Sequence, residues 1–436
     1  MNHDRRRFYL PVIGKFIVSF SLAAAWLSLS IWLSRPWIHD LSAYIGPIAA
    51  IAIVMFIALI PGFLNMLLLF SLTLDKPPVL NLDIEFPSIS ILIAAYNEEL
   101  SLADMFRSLR ESDYPTPVEI ILINDGSTDG TLEEARRYGP ADLVVLTVKH
   151  GGKAMALTAG LARASHDIVV TIDADTFLHH EALRRIIARM LELPNTTAAV
   201  AGCVLARNSR DTFMTRMQEW DYFAAINSVK REQSLYQGTL VAEGAFSAFF
   251  KKYLLATNGW PNVIGEDIVL TWSLLARGYV VSFEPTAVGF TNVPTTLKGF
   301  YHQRRRWARG MIEGLKLHGW VARWQRPRLA ELFVSIDFMF PFLDTFYACV
   351  FVPGIILALA GRFFIVGPLT LLVLPITCLI LYVMYFKERR IFNELGLRVR
   401  KNPFGIFFYA AIYQLVMSPV CVVGYFQEIF GLSKRW

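Results

Sequence analysis

The sequence predicts a doubly wound α/β domain, with a mostly parallel sheet, inserted between transmembrane α-helices. Hydrophobic residues make up 54% of the 436 residues and charged residues only 18%. The mean hydropathy of +0.43 is too high for an ordinary soluble protein of this length. Apolar runs long enough to cross a bilayer, which takes about 20 residues, occur in both terminal parts of the chain. Between them, short apolar strands alternate with helical stretches, a pattern typical of a sheet covered by helices on both faces.

Residues 1–75 predict a hairpin of two transmembrane helices. One apolar run extends from Pro11 to about Leu33, and a second from Ile45 to about Leu74. Arg5, Arg6 and Arg7 precede the first run, and a basic flank favours the cytoplasmic side of a membrane. A signal peptide is the alternative, but the first run is too long for one and a second run follows closely. We therefore expect the chain to return to the cytoplasm at Asp75.

Residues 76–297 predict a cytoplasmic domain in which strands and helices alternate. The predicted strands are Ile89–Ala95, Glu119–Ile123, Leu143–Thr147, Ile168–Ile172 and Ala198–Val204, and the predicted helices are Leu102–Arg110, Thr131–Tyr138, Lys153–Ala164 and Ala182–Leu193. In a doubly wound sheet, ligands bind outside the carboxyl ends of the strands. The residues that follow each strand are therefore the candidates for a binding site.

Two acids, Asp173 and Asp175, follow the fourth predicted strand. Residues i and i+2 of a strand share a face, so we expect the two carboxylates to point the same way. Such a pair is costly unless a cation or hydrogen-bond donors compensate it, and oxygen ligands of this kind suit Mg²⁺ or Mn²⁺. Two exposed turn acids are the alternative interpretation.

Polar residues also follow the first three predicted strands. Tyr96 offers a ring face for a nucleobase, and Asp125 can accept a hydrogen bond from the imide N–H of uracil. The segment Asn124–Gly130 can also be read as a turn that caps the next helix. Lys153 follows two glycines at the start of a helix, where a cation can meet a diphosphate. Together with Asp173, these residues predict a nucleotide-sugar site.

Four segments in this order resemble the inverting GT-A glycosyltransferases of family 2. They are Tyr96-Asn97-Glu98, Asn124-Asp125-Gly126-Ser127, Gly152-Lys153-Ala154 and Asp173-Ala174-Asp175. The resemblance covers about Phe86–Arg309 and implies a GT-A fold. It also implies that Tyr96, Glu98, Asp125, Lys153 and Asp173 bind the donor, with Asp173 and Asp175 as metal ligands.

A further motif, Gly265-Glu266-Asp267-Ile268, opens a predicted helix that ends near Arg277. Acids in the first turn complement the helix dipole, and capping alone would explain them. In processive members of the family the motif is usually Thr-Glu-Asp, and its aspartate deprotonates the acceptor hydroxyl. The resemblance therefore implies that Asp267 is the catalytic base with Glu266 beside it. Gly265 stands where the threonine is usual, which removes any acceptor contact that the threonine hydroxyl would make.

Small residues in Leu240–Phe250 suggest another contact with sugar. Gly244 in this stretch would allow close approach of an acceptor or donor sugar to the backbone. A core strand is the alternative interpretation of the same stretch.

Residues 298–335 predict interfacial helices. Lys298–Arg328 holds nine Lys or Arg residues against one acid, interleaved with Trp307, Trp320 and Trp324, a pattern typical of helices at an anionic membrane surface. The segment Gln303–Trp307 also matches the Gln-x-x-Arg-Trp motif of processive family members. The resemblance implies that Trp307 stacks under the acceptor sugar, while Gln303 and Arg306 hold the acceptor and the diphosphate.

Residues 336–436 predict a C-terminal transmembrane region with three apolar runs. These runs are Phe338–Ala360, Phe363–Phe386 and Phe404–Phe426. Lys387–Lys401 is strongly basic and is expected to be cytoplasmic. The last run is then either re-entrant or interfacial, or it places Lys434–Trp436 outside against the charge rule. Asp337 and Asp344 flank or enter the third run, and an intramembrane acid is a candidate for function, such as lining a sugar path.

The resemblance implies a multi-pass enzyme of the inner (plasma) membrane with a cytoplasmic catalytic domain. Such an enzyme uses a UDP-sugar and Mg²⁺ or Mn²⁺ to extend and secrete a β-linked polysaccharide. Overall length and the arrangement of two and then three helices most resemble poly-β-1,6-N-acetylglucosamine synthases. Cellulose, chitin-oligosaccharide and hyaluronan synthases share the motifs, and single transfer to a lipid carrier or a catalytically silent subunit are further alternatives.

The expected partners are the UDP-sugar donor, the growing polysaccharide and the lipid bilayer. Five helices are few for a closed polymer channel, which suggests a small membrane partner subunit or self-association. The formal net charge is +6, but the basic residues lie beside apolar runs, where anionic lipid explains them. No nucleic-acid partner is expected.

Overall fold

The computed structural model describes residues 10–76, 79–236, 238–319, 329–366, 373–398 and 400–432. Two long helices, α1 (Val12–Ile45) and α2 (Pro47–Leu74), form the N-terminal hairpin. Gly46 joins them with a φ of +82°, a conformation that residues with a side chain rarely adopt. α1 extends well past the predicted end at Leu33 and includes the polar residues that follow the apolar run. The basic flank Arg5–Arg7 lies outside the described residues.

The central domain contains one mixed sheet of eight strands. The strands are β1 (Ile89–Ala95), β2 (Val118–Asn124), β3 (Val144–Thr147), β4 (Ile168–Ile172), β5 (Phe177–Leu178), β6 (Thr197–Ala206), β7 (Phe246–Phe250) and β8 (Val280–Thr291). Their order in the sheet is β3-β2-β1-β4-β7-β6-β8-β5. The pairs among β3, β2, β1 and β4 are parallel, as is β6 with β8, whereas β7 runs antiparallel to β4 and β6, and β5 to β8.

Helices cover both faces of this sheet, as the alternating pattern predicts. They are α3 (Leu102–Arg110), α4 (Thr131–Tyr138), α5 (Lys153–Arg163), α6 (Ala182–Glu192), α7 (Phe213–Trp220), α8 (Asn227–Leu235), α9 (Lys251–Ala256) and α10 (Glu266–Ala276). Alternate residues of β1 point to opposite faces: Ile91 joins a core with α3 and α6, while Leu92 joins a core with α5 and α10. All five predicted strands and all four predicted helices are present, most with bounds within two residues. The segment Leu240–Phe250 is a strand only from Phe246 onward.

The remaining helices continue the chain after the sheet. They are α11 (Leu297–His318), α12 (Leu329–Asp337), α13 (Phe340–Phe346), α14 (Val352–Leu359), α15 (Val373–Glu394), α16 (Pro403–Phe408) and α17 (Gln414–Ile429). One-turn π-helical segments join α13 to α14 and α16 to α17. Trp320 and Trp324 of the predicted interfacial stretch lie outside the described residues.

Four helical segments of the described residues are long and apolar enough to cross a membrane. They are Val12–Ile45, Pro47–Leu74, Glu331–Leu359 and Pro403–Ile429. The predicted fourth run, Phe363–Phe386, includes residues 367–372, which the structure does not describe. Its described part opens α15, whose Leu381 and Met384 pack against Leu68 and Leu72 of α2. The described apolar part of α15, from Val373 to Phe386, is too short to be among these four, because a charged segment follows it.

Buried ion pairs join the domain to the apolar helices. Arg231 of α8 pairs with Asp75 at the end of α2 (2.6 Å) and with Glu388 of α15 (2.7 Å). Truncating one member of such a network leaves an uncompensated buried charge. These contacts therefore fix the adjoining ends of α2 and α15 against the central domain.

Candidate active site

The candidate site lies where β1, β2 and β4 end and where α5 and α10 begin. Asp173 and Asp175 lie in the turn after β4, which ends at Ile172. The expectation that strand alternation aligns the two carboxylates is therefore wrong. A turn brings them together instead: the Asp173 N–H donates to Ala245 (3.2 Å), and the Thr176 N–H donates to the Asp173 carbonyl (2.9 Å).

Lys153, the first residue of α5, donates from Nζ to the Asp173 carboxylate. Gly244 lies next to this contact: a Cβ there would lie 2.6 Å from Lys153 Nζ, so a larger residue would displace the end of the lysine side chain. Burial alone would lower the pKa of Lys153, but the nearby charges of Asp173, Glu266 and Asp267 outweigh burial and raise it. Lys153 is therefore a cation among acids from two segments, the turn after β4 and the first turn of α10, and Gly244 lies beside its side chain.

Asp175 and Glu98 add to the acidic side of the site. Burial and the charge of Asp173 raise the pKa of Asp175 to about 6. Burial and the charge of Asp175 raise the pKa of Glu98 to about 7. Thr291, at the end of β8, donates to both Asp175 oxygens at 3.2 Å. An excess of carboxylates over local cations is the electrostatic setting in which a divalent cation binds.

The predicted base pocket is occupied by contacts within the protein. The Asp125 carboxylate is buried and accepts from the Gly151 and Gly152 N–H groups at 2.8 and 2.9 Å. The His150 ring stacks on Tyr96, with ring centroids 4.2 Å apart. Asp125 thus shapes the glycine loop before Lys153, and nucleobase contact by Tyr96 or Asp125 stays a prediction.

The predicted base, Asp267, lies in the first turn of α10, where its Oδ1 accepts from the Ile268 N–H at 2.8 Å. Glu266 beside it is buried. Burial and the charge of Asp267 raise the pKa of Glu266 to about 7, although the cations of Lys153 and Arg306 oppose this rise. These interactions bring Glu266, Asp267, Lys153 and Arg306 to the same side of the site.

Gly265 has a packing role that the motif comparison missed. A Cβ on Gly265 would lie 2.5 Å from the Cα of Gly310 in α11, so no side chain fits there. The absence of a threonine at this position therefore follows from close packing of α10 on α11.

The motif Gln303–Trp307 lies on α11. The Arg304 guanidinium lies 4.1 Å from the centre of the Trp307 ring and pairs with the buried Asp221 at 2.8 Å. Arg306 is exposed, and Gln303 Oε1 is buried without a hydrogen-bond partner within the described part of the chain. A buried acceptor without a donor is costly unless a ligand or water supplies one. Acceptor contact by these residues stays a prediction.

Glu243 and Lys230 are further residues of the site that were not identified from the sequence. Glu243 is next to Gly244 and pairs with Lys230 of α8. Burial raises the pKa of Glu243, Lys230 opposes this rise, and the charges of Asp267 and Asp173 add to it. The signal was a single acid in the otherwise apolar stretch Leu240–Phe250.

Asp344, in the third apolar run, is hydrogen-bonded to side chains of another apolar helix. Its carboxylate accepts from Gln414 (3.1 Å), Ser418 (2.6 Å) and Tyr425 (2.7 Å) of the last helix, and it is 4% exposed. It ties two apolar helices together and does not line an open path.

The residues fit a divalent cation only as a partial ligand set. Within the described ranges, no group of three or more His, Cys, Asp or Glu residues is arranged to hold a metal ion. Asp173 and Asp175 offer two carboxylates in an acidic setting, and Mg²⁺ usually takes one or two carboxylates together with substrate phosphates.

Comparisons with known proteins show which family and which relatives the central part of the chain is similar to. Residues 90–256 match the family described as Glycosyl transferase family 2. The chain is 35% identical over 246 residues to a poly-beta-1,6-N-acetyl-D-glucosamine synthase of Staphylococcus aureus (strain COL), covering 56% of this chain and 59% of the relative. It is 36% identical over 236 residues to a synthase of the same name from Staphylococcus epidermidis, covering 53% and 56%. The match thus spans a little over half the length of these curated relatives.

A solved structure shows the same fold. It is a mannosyltransferase from Pyrobaculum calidifontis in complex with GDP-Man and Mn²⁺, with a TM-score of 0.58 and 18% identity, covering 88% of this chain and 99% of that chain. The predicted fold class and the resemblance to family 2 are confirmed.

Proposed function

We propose that this chain, which carries a domain of glycosyl transferase family 2, is a membrane-embedded processive synthase of a β-linked polysaccharide. The donor is UDP-N-acetylglucosamine and the product is poly-β-1,6-N-acetylglucosamine. The observation that carries the proposal is the packing of α10, with Asp267, directly on α11, with Gln303 and Trp307, beside the Lys153–Asp173 pair. In this proposal, the residues assigned as the base, as the site for the growing end and as the cation for diphosphate belong to neighbouring elements. The names of the staphylococcal relatives support the choice of sugar and linkage.

The chemistry follows from these positions. Asp267 takes the proton from the acceptor hydroxyl as this hydroxyl attacks the anomeric carbon in line with the departing UDP. Lys153 and Arg306 supply positive charge near the developing diphosphate. Direct displacement inverts the anomeric centre, so an α-linked donor gives a β-linked product. Asp173 and Asp175 would hold Mg²⁺ or Mn²⁺, which offsets diphosphate charge when bound.

The growing polysaccharide is held by α11 in this proposal. Trp307 stacks under the terminal sugar, and the unpaired Gln303 Oε1 accepts from one of its hydroxyls. A site for the growing end favours repeated addition over a single transfer to a lipid carrier. The catalytic domain faces the cytoplasm of a multi-pass protein in the inner membrane, where UDP-sugars are made available, and a small membrane subunit or a second copy completes the polymer path.

The test is incubation of the purified chain in nanodiscs with a panel of UDP-sugars and Mg²⁺ or Mn²⁺. UDP release and product size are measured together, and linkage analysis follows. We expect release with UDP-N-acetylglucosamine and a long β-1,6-linked polymer. A polymer from UDP-glucose, or a single transfer to lipid, would contradict the proposed substrate. Activity of a purified monomer would contradict the need for a partner or a second copy.

A further inference from the structure

The helix that carries Asp267 has no capping side chain of its own. α10 begins after Gly265, which has no side chain, and the third residue of the helix is Ile268. In a capping box, a Glu or Gln at that third position accepts a hydrogen bond from the N–H of the capping residue. Here the Gly265 N–H donates to Oε2 of Glu313 at 3.0 Å, across 48 residues of sequence. Glu313 of α11 therefore supplies the cap that the local sequence lacks.

The cap lies beside a close backbone contact between the same two helices. A Cβ on Gly310 would lie 2.7 Å from the Gly265 Cα, and a Cβ on Gly314 would lie 3.0 Å from Ile268 Cγ2. Gly310 and Gly314 are one turn apart on α11 and flank Glu313. The first turn of α10 is thus held by one hydrogen bond and by packing that tolerates no side chain at Gly265 or Gly310.

This contact joins the two parts of the proposed reaction. Asp267 is two residues beyond Gly265, and Trp307 is one turn before Gly310 on α11. A displacement of about 1 Å between reacting groups is enough to cost about 100-fold in rate. We propose that Glu313 is a positioning residue, whose carboxylate fixes the first turn of α10 against α11 so that Asp267 meets the acceptor held at Trp307. The inference rests on the proposed function.

α11 has other anchors that do not involve α10. Arg304 pairs with Asp221, and Arg309 pairs with Glu428 of α17 at 3.0 Å. Loss of the Glu313 cap should therefore leave α11 in place and disturb its register against α10. The donor side of the site, with Lys153 and Asp173, has no contact with Glu313 among those described above.

The test compares Glu313→Ala with Glu313→Gln in one assay that measures UDP released and sugar incorporated. The alanine variant removes the acceptor for the Gly265 N–H, whereas the glutamine variant keeps a side-chain oxygen there. We expect Glu313→Ala to lower incorporation about 10- to 100-fold with the KM for UDP-N-acetylglucosamine within about twofold of wild type. UDP release should fall less, because water still reaches the bound donor. Glu313→Gln should recover incorporation to within about threefold of wild type.

Glu428→Gln is the matched control, since it weakens the contact of α11 with α17 and leaves α10 untouched. We expect its ratio of sugar incorporated to UDP released to equal that of wild type. An unchanged ratio in Glu313→Ala, or a glutamine variant as impaired as the alanine variant, would overturn the inference. If Glu428→Gln lowered the ratio of sugar incorporated to UDP released as much as Glu313→Ala does, the inference would also be overturned, because any disturbance of α11 would then have the same effect.

A readout without activity separates this inference from the proposed function. Amide hydrogen exchange of residues 265–269 reports the first turn of α10 whatever the substrate is. We expect Glu313→Ala to speed exchange there at least about tenfold and Glu428→Gln to leave it unchanged. If wild type released no UDP from any donor, the proposed function would fail, while faster exchange would still show the cap. Unchanged exchange in Glu313→Ala would refute the cap itself.

Discussion

Substitution of Glu266 by glutamine should make the stability of the protein less dependent on pH between about 4.5 and about 7. Glu266 is 7% exposed, and burial together with the charge of Asp267 raises its pKa from 4.5 to about 7. A raised pKa means that the folded protein keeps the proton after the unfolded chain has lost it. The free energy of unfolding therefore falls as pH rises from about 4.5 to about 7, and this contribution is constant above pH 7.

The size of the effect follows from the same pKa. One pKa unit corresponds to about 1.4 kcal/mol, so the rise from 4.5 to about 7 corresponds to about 3 kcal/mol. For a domain of 150–250 residues, 1 kcal/mol moves the thermal midpoint by about 2–4 °C. The wild-type midpoint should therefore fall between pH 5 and pH 8 by about 6–12 °C more than that of Glu266→Gln.

The measurement is thermal unfolding in detergent at pH 5, 6, 7 and 8 for wild type and Glu266→Gln. Glu111→Gln is the control, because Glu111 is exposed at the end of α3 and its removal should leave the wild-type pH dependence. Equal pH dependence in wild type and Glu266→Gln would refute the reasoning. It would mean that Lys153 and Arg306 compensate the Glu266 charge fully, so that burial does not control its ionisation.

Three further predictions concern the acids and cations of the site. Asp175→Ala should lose activity and its dependence on added Mg²⁺ or Mn²⁺, measured by cation titration; unchanged kinetics would contradict the metal assignment. Asp267→Asn should lower polymer formation by about 10²- to 10⁴-fold while UDP binding, measured by calorimetry, is retained; normal turnover would contradict the base assignment. Lys230→Met should lower the free energy of unfolding by at most about 3–5 kcal/mol because the partly buried Glu243 loses its cation, and the double variant with Glu243→Leu should recover most of the thermal midpoint. Failure to recover would contradict the pairing.

The local sequence predicted the helices and strands of the domain, and it predicted most of the site residues that the structure brings together. β1, β4, α3 and α4 have the predicted bounds because the apolar strands and the amphipathic helices are each flanked by polar or glycine turn residues. Lys153, Asp173 and Asp175 meet because all three follow parallel strands.

The residues that the sequence did not reveal make contacts between distant segments. Thr291 bonds Asp175 across 116 residues, and Glu313 bonds Gly265 across 48 residues. Neither hydrophobic periodicity nor the spacing of motifs in the sequence predicts such a long-range hydrogen bond. The local sequence around each residue also gives no sign of the contact, because Thr291 ends a strand and Glu313 is the one acid in a basic helix.

Gly265 shows why a motif comparison does not replace geometry. The missing threonine suggests a lost contact with the acceptor. In the structure the same glycine allows the Gly310 backbone to approach, so its neighbours on α11 determine the residue type. Restoring threonine would insert a Cβ 2.5 Å from the Gly310 Cα and separate the helices that hold Asp267 and Trp307.

For the last apolar helix, the sequence allows either a spanning or an interfacial arrangement. α17 runs alongside α11: Gly424 packs against Ala308, and Glu428 pairs with Arg309. α11 in turn packs on α10 of the catalytic domain through Gly310. Because Gly424 and Glu428 near the end of α17 both contact α11, we expect that end to lie on the same side of the membrane as the domain, as in an interfacial or re-entrant helix.

The position of Leu432 tests this argument. Its carbonyl accepts from Arg309 Nη2 at 2.9 Å, which places it on the side of the catalytic domain. Leu432→Cys, in a background with the four native cysteines replaced by alanine, should react with a membrane-impermeant maleimide in inverted vesicles and not in right-side-out vesicles. Glu133→Cys, on the exposed surface of the catalytic domain, is the reference for that side. Labelling of the two cysteines from opposite sides would show that α17 spans the membrane and that its contacts with α11 do not fix its end.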